Sequence, residues 1–173
     1  LTADVMRIRI KLPPAQRLQF LAGQYLEILL ADGKRRAFSI ASPPQSEDEL
    51  ELHIRHVDGG GFTSWVFEQM KVRDILRLEA PLGTFFIRND RLDRPMIFMS
   101  GGTGFAPLKS MLEDLLAQGD KRPVHLFWGA RSRADLYLHG QALDWAEKNA
   151  HLQYSSALLE AVDEQEAPYG RVN

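Results

Sequence analysis

The stretch Met96-Ile97-Phe98-Met99-Ser100-Gly101-Gly102-Thr103-Gly104-Phe105-Ala106-Pro107 constrains this chain more than any other. A short apolar run meets a glycine-rich turn, and a helical pattern follows at once. Leu108, Met111, Leu112, Leu115 and Leu116 recur at i, i+3, i+4, i+7 and i+8, the spacing of one helix face. Lys109, Glu113, Asp114 and Gln118 fall on the other face, and Gly119 is a natural stop. The unit reads strand, glycine turn, helix. A helix N-terminus offers unpaired N–H groups and a partial positive charge, which suit a phosphate. Glycines let the backbone come close to such a ligand. Gly102-x-Gly104-x-x-Pro107 follows the spacing that seats a dinucleotide pyrophosphate, with proline in place of the third glycine. Proline is at home in a first helical turn. A plain tight turn is the other reading.

The grammar of the chain changes just before this stretch. Upstream, strands are expected at 6–12, 25–30, 35–40, 50–55 and 75–80, where apolar and polar residues alternate or apolar residues run together. Pro81 closes the last of these. One short helix over 65–70, capped by Thr63 or Ser64, interrupts them. Such a series suggests an antiparallel barrel. Downstream, strands at 96–99, 124–128 and 152–155 alternate with helices at 108–118 and 141–149, which implies a parallel sheet with crossover helices. The boundary is placed between two domains, 1–92 and 93–173, in a charged stretch that contains Pro95. Three strands make an unfinished nucleotide domain, so the chain reads as a fragment of a longer protein.

Composition excludes several classes. A net charge of −2, with no long run of one sign, gives no footprint for nucleic acid or an anionic membrane. Cysteine is absent, which removes disulfides, zinc–thiolate sites and an internal iron–sulfur cluster. No apolar run approaches the roughly 20 residues of a membrane span, and the chain reads as cytoplasmic. His53, His56, His125, His139 and His151 lack metal-ligand spacing, so no metal site is expected.

Three further clusters are candidates for ligand binding. Alternation puts Arg36 and Phe38 on one strand face, with Ala37 and Ser39 on the other. An arginine fork suits a phosphate and an aromatic ring offers a stacking surface. Taken alone, these residues read first as a surface arginine beside a core phenylalanine. Gly59-Gly60-Gly61-Phe62-Thr63-Ser64 is a second glycine turn opening a helix, either a pyrophosphate grip or a flexible turn with a cap. The run ending Trp128-Gly129-Ala130-Arg131 delivers residues to the carboxyl end of a strand, where open parallel sheets bind ligands. Arg131 and Arg133 either face solvent or meet an adenosine ribose or a 2′-phosphate, which Asp135 nearby could repel, so NADH and NADPH both stay open.

Together, Arg36-x-Phe38-Ser39, Gly61-Phe62-Thr63-Ser64, Pro81-Leu82-Gly83-Thr84-Phe85, residues 101–107, and Trp128-Gly129-Ala130-Arg131 with Asp135-Leu136-Tyr137 resemble the ferredoxin–NADP reductase superfamily in order and spacing. Within it the chain is most similar to bacterial NAD(P)H–flavin reductases and CDP-6-deoxy-3,4-glucoseen reductases. The resemblance implies a six-stranded antiparallel flavin barrel followed by a doubly wound α/β nucleotide domain, truncated here. It implies that Arg36 meets the flavin phosphates, Phe38 packs on the flavin and Ser39 lies near flavin N5 as the catalytic hydroxyl. The family usually has tyrosine where Phe38 stands. His53, Ile54 and Arg55 match the next flavin-contacting strand, and Gly60, Gly61, Phe62, Thr63 and Ser64 the flavin pyrophosphate turn. Gly102, Thr103, Gly104 and Pro107 match the NAD(P) pyrophosphate turn, and Trp128, Gly129, Ala130 and Arg131 the following nucleotide segment. The implied function is hydride transfer from NAD(P)H to FAD, with electrons passed to an iron–sulfur domain or protein. Alternatives are a stand-alone reductase that releases its flavin and a non-catalytic nucleotide-binding fragment. The family's Cys-Gly-Pro-type segment is not in this sequence.

Overall fold

A computed structural model describes residues 1–159 apart from Ala15 and Glu47, together with the backbone of the strand Gly170–Arg171. It divides into two compact units. One is made of Ala3–Ile87 with Ala106–Gln118, the other of Leu1–Thr2, Arg88–Phe105 and Gly119–Asn173.

The first unit is the barrel-like one. Its strands are β1 (Val5–Lys11), β2 (Tyr25–Leu29), β3 (Arg35–Ser39), β4 (Glu49–Arg55) and β5 (Arg77–Leu82), with helix α1 (Gly61–Glu68) between the last two. β1 lies antiparallel to β4, from Val5 opposite Arg55 to Lys11 opposite Glu49. A second sheet has the order β3-β2-β5, and the single bridge from Ile40 to Leu52 ties the two sheets together. Among the described residues five strands form where six were expected. The segment after Ile40 adds only that bridge, because Pro43 and Pro44 have no N–H to continue a ladder.

Alternation sorts the faces as the sequence indicates. Leu26 and Ile28 of β2, Leu50, Leu52 and Ile54 of β4, and Phe62 and Val66 of α1 build one buried core. Each such side chain stabilises the fold by about 1.5–3 kcal/mol relative to exposure. Pro81 does not end β5, contrary to expectation. Ala80 and Pro81 together oppose Leu26, between the pairs Glu27–Glu79 and Tyr25–Leu82, so a bulge absorbs the proline.

Helix α2 (Phe105–Gln118) joins this unit through all but its first residue, burying Leu108, Met111, Leu112 and Leu115. It starts three residues earlier than the periodicity predicts. Gly23, at φ 102°, lets Met111 in: a Cβ there would lie 2.1 Å from the Met111 methyl and 2.4 Å from the Phe85 carbonyl oxygen.

The second unit is a parallel sheet of β6 (Met96–Gly101), β7 (Val124–Ala130), β8 (Leu152–Leu158) and β9 (Gly170–Arg171), in that order, with helix α3 (His139–Lys148) packed on β8. β9 is a fourth strand where three were expected, too short for a periodicity to show. The strand order runs one way without the reversal of a doubly wound sheet, so the described residues supply one run of winding. Leu126, Trp128, Leu152 and Leu158 alternate inward along their strands, and Ala142 and Trp145 of α3 are buried. Among the described residues, no helix is long and apolar enough to cross a membrane.

Candidate flavin and nucleotide site

In the barrel-like unit, β3 sets Arg36 opposite Ile28 and Phe38 opposite Leu26, so both share the face of those core residues. Ala37 and Ser39 oppose Glu27 and Tyr25. Phe38 is half-buried, its ring 5.7 Å from that of Phe62. Arg36 is exposed and its Nη1 donates to the Arg35 carbonyl at 2.9 Å. Among the described residues Arg36 has no ion pair, whereas Arg35 on the opposite face is bound to Glu27 and Glu79.

The glycine turn before α1 is a locked structure. The Thr63 hydroxyl accepts from the Val57 N–H at 3.1 Å and donates to the Gly60 carbonyl at 3.1 Å. A Cβ on Gly60 would lie 2.7 Å from the Thr63 hydroxyl and 2.9 Å from the Val57 carbonyl, so only glycine fits. Gly60, not Thr63 or Ser64, is the N-cap of α1, and no side chain caps its first N–H groups. Thr63 sits in the first turn and spends its hydroxyl on the turn's own backbone. Ser64 Oγ lies 3.3 Å from His56 Nε2.

Arg36 and this turn open on the same hollow. A cavity of about 1070 Å³ is lined by Arg36, Gly59, Gly61, Phe62, Trp65 and Leu76 among others. That is the upper end of small-molecule sites, roughly 300–1,000 Å³. Trp65, Ile75 and Leu76 give it an apolar end that the sequence reading did not anticipate.

The second glycine turn belongs to the other unit. Gly101 is extended, Gly102 has φ 51°, and a 3₁₀ turn over Gly102–Gly104 runs straight into α2, with Pro107 its third residue. Trp128 is fully buried. Its Nε1 donates to the Gly102 carbonyl at 3.0 Å, and its ring stacks on Phe105 with centroids 3.8 Å apart. Trp128 therefore braces the turn from inside the unit, with no surface for a ligand. Gly129 and Ala130 end β7, and exposed Arg131 follows. The Asp135 carboxylate accepts from the Ser132 N–H and hydroxyl, both at 2.9 Å, which commits it to closing its own loop.

Comparison with known proteins decides the family. Residues 1–87 match the oxidoreductase FAD-binding domain and residues 98–173 the oxidoreductase NAD-binding domain. The chain belongs to these FAD- and NAD-binding oxidoreductases. It is 42% identical over 151 residues to the CDP-6-deoxy-L-threo-D-glycero-4-hexulose-3-dehydrase reductase of Yersinia pestis, covering 87% of this chain and 45% of that protein. It is 38% identical to the NAD(P)H-flavin reductase of Aliivibrio fischeri, covering 84% and 64%. The crystal structure of the Amycolatopsis cytochrome P450 reductase GcoB superposes with a TM-score of 0.86 at 34% identity, over 98% of this chain and 51% of that one. The chain thus spans about half the length of several curated relatives. The ferredoxin–NADP reductase-like fold expected from the motifs is the fold found.

The FAD-binding domain suits a flavin diphosphate on chemistry: a guanidinium in no ion pair among the described residues, uncapped helix N–H groups, an apolar wall and an Asp32 carboxylate already paired with Lys34 line one cavity. The flavin-strand match at His53, Ile54 and Arg55 is arranged otherwise. The His53 ring is enclosed, with Nε2 donating to Glu51 Oε1 at 2.8 Å. Ile54 is in the core and Arg55 donates to Asp4 at 2.7 Å. These three side chains do not line the Arg36 cavity.

Behind β4 lies a buried charge network that the sequence hid. Lys109, placed by helical periodicity on an outer face, is 6% exposed. Its ammonium is 2.9 Å from Glu113, 3.5 Å from Glu51 and 3.2 Å from the Ala41 carbonyl. Burial pushes the Glu51 carboxyl up, but the His53 hydrogen bond with Lys109 and Arg7 overcomes it and holds the pKa at about 2. Burial pushes His53 below its usual value against the pull of Glu51.

Proposed function

We propose that this chain is the flavin- and nicotinamide-binding part of an NAD(P)H-dependent flavin oxidoreductase, divided into an FAD domain, 1–92, and an NAD(P) domain, 93–173. One observation carries the reading: Arg36 and the Gly59–Gly61 turn open on one cavity of a domain that matches FAD-binding oxidoreductases. Arg36 and the first N–H groups of α1 hold the flavin diphosphate, and Thr63 keeps their turn in shape. Phe62 walls the cavity, with the Phe38 ring packed 5.7 Å from its own, and Ser39 at the end of β3 would offer its hydroxyl to flavin N5. Gly60 and Ser64 complete the turn, while His53, Ile54 and Arg55 serve through their backbone and by holding β4 in place. Gly102, Thr103, Gly104 and Pro107 seat the nicotinamide nucleotide's diphosphate. Trp128 supports them, and Gly129, Ala130 and Arg131 line the approach to the adenosine. Held by these residues, a bound flavin would supply the acceptor for a hydride from the nicotinamide and the store of electrons passed onward.

The acceptor is an iron–sulfur domain or protein. The chain has no cysteine, so such a cluster would be held outside these residues. The second reading, a flavin released as substrate, draws on the Aliivibrio fischeri NAD(P)H-flavin reductase. The Gly59–Ser64 turn favours a retained FAD, because a released flavin needs no adenylate grip. A cytoplasmic location goes with the reading. An absorbance spectrum after gel filtration tests it: a retained flavin band, bleached on anaerobic addition of NADH or NADPH, is expected. Colourless protein that bleaches added flavin would favour the second reading, and protein that does neither would end both.

A further inference from the structure

Ser39 ends β3, and the three residues after it form a corner held from two sides. On the amide side the barrel strands do the holding. The Ile40 N–H donates to the Gln24 carbonyl at 3.0 Å, the Ala41 N–H donates to the Glu51 carbonyl at 2.7 Å, and the Ser42 hydroxyl accepts from the Glu51 N–H at 3.1 Å. On the carbonyl side two consecutive residues of α2 take two consecutive carbonyls. Lys109 Nζ donates to Ala41 at 3.2 Å, and the Ser110 hydroxyl donates to Ser42 at 2.7 Å. Ser110 is fully buried and Lys109 nearly so.

A buried ammonium is a poor way to gain stability. Its desolvation offsets much of its attraction to Glu51 and Glu113, and an apolar side chain of similar length would pack as well. What it supplies is direction: an N–H aimed at one carbonyl, beside a hydroxyl aimed at the next. We propose that Lys109 and Ser110 are positioning residues that fix the corner after β3 and thereby the aim of the Ser39 hydroxyl. The inference rests on the reading that Ser39 faces flavin N5.

The test uses the intact flavin-loaded protein. Ser110→Ala removes one carbonyl anchor. The pair Glu51→Gln with Lys109→Met removes the other while leaving the net charge of the buried network unchanged. Both proteins should keep wild-type flavin content, yet the visible circular dichroism of the bound flavin should shift as it does in Ser39→Ala. Flavin reduction at saturating NAD(P)H should slow roughly 10- to 100-fold, the scale of a small misplacement. Adding Ser110→Ala to Ser39→Ala should cost nothing further, because the anchor acts through that hydroxyl. Unchanged dichroism and rate, additive losses, or losses that merely track flavin content would each overturn the proposal. If the wild-type protein takes up no flavin, the functional reading falls and this inference with it. If it does and the variants behave like wild type, only the inference falls.

Discussion

Two glycine turns, each opening a helix, are supported in opposite ways. The turn at 57–63 is locked locally: Thr63 reaches back six residues to Val57 and three to Gly60. The turn at 101–104 has no side-chain cap of its own; locally the Phe105 N–H reaches back to the Gly102 and Thr103 carbonyls. An indole N–H from Trp128, 26 residues away, holds the Gly102 carbonyl, and the same ring stacks on Phe105 where the helix begins. The first turn is a self-contained clip beside a barrel strand. The second is a projection of its domain's core, and its shape is only as good as that packing. A glycine turn that opens a helix can thus be held by local hydrogen bonds or by long-range burial, and the two should fail differently.

Breaking the long-range brace should have the largest effect. Trp128→Ala removes a fully buried ring and is expected to cost about 3–5 kcal/mol of stability, measurable by urea denaturation. Trp128→Phe keeps a ring against Phe105 but removes the indole donor, leaving the Gly102 carbonyl only the Phe105 N–H. Its smaller loss should appear mainly as weaker NAD(P)H binding, with flavin binding intact. Equal loss of both cofactors from Trp128→Phe would contradict a brace specific to the second turn.

On the barrel side the proposed diphosphate contact can be broken without touching the fold. Arg36 is exposed, so Arg36→Ala should leave the melting temperature of the flavin-free protein unchanged. Losing a charge-assisted bond to a diphosphate should weaken flavin affinity by about 1.5–3 kcal/mol, read by fluorescence titration. Arg35→Ala, on the opposite face, should leave that affinity alone.

The sequence showed which residues share a face and hid what supports either turn, for the same reason. Alternation placed Arg36 and Phe38 on one face correctly, because a strand's period is two and its neighbours need not be known. The core stripe of α2 was equally visible. Lys109 was not: periodicity assigns a face, but a polar face is exposed only if nothing covers it, and here the barrel does. Trp128 at a strand's end suggested a ligand surface, and only the fold shows Phe105 covering the ring. Pro81 looked like a stop because a bulge depends on the partner strand, which sequence spacing does not name.

Acid should strain the barrel unit through its buried network. Glu51 has a usual pKa of 4.5 and is held at about 2 in the folded state. Between those values the unfolded chain binds the proton first, so this stabilisation is complete above 4.5 and is lost as the pH falls toward 2. His53 is lowered from 6.5, so the unfolded chain also outcompetes the folded one for its proton as the pH drops below that value. Stability should decline from about pH 6 downward and more steeply below 4.5, by about 1–3 kcal/mol in all. In Glu51→Gln the steeper portion should flatten. An unchanged acid limb would remove Glu51 from the account.

The smallest effect should come from the local lock itself. Thr63→Val keeps the shape of the side chain and removes the hydroxyl, leaving the Val57 N–H without its acceptor at the surface, where water can replace it. The expected cost is about 0.5–1.5 kcal/mol, far below that of Trp128→Ala. Thr63→Ser should restore most of it, since the hydroxyl alone does the locking. Flavin affinity should follow the same order, wild type and Thr63→Ser above Thr63→Val, because the uncapped N–H groups of α1 point where the turn aims them. If Thr63→Val destabilised the protein as much as Trp128→Ala does, the turn would be part of the core rather than a clip upon it, and the contrast between the two turns would dissolve.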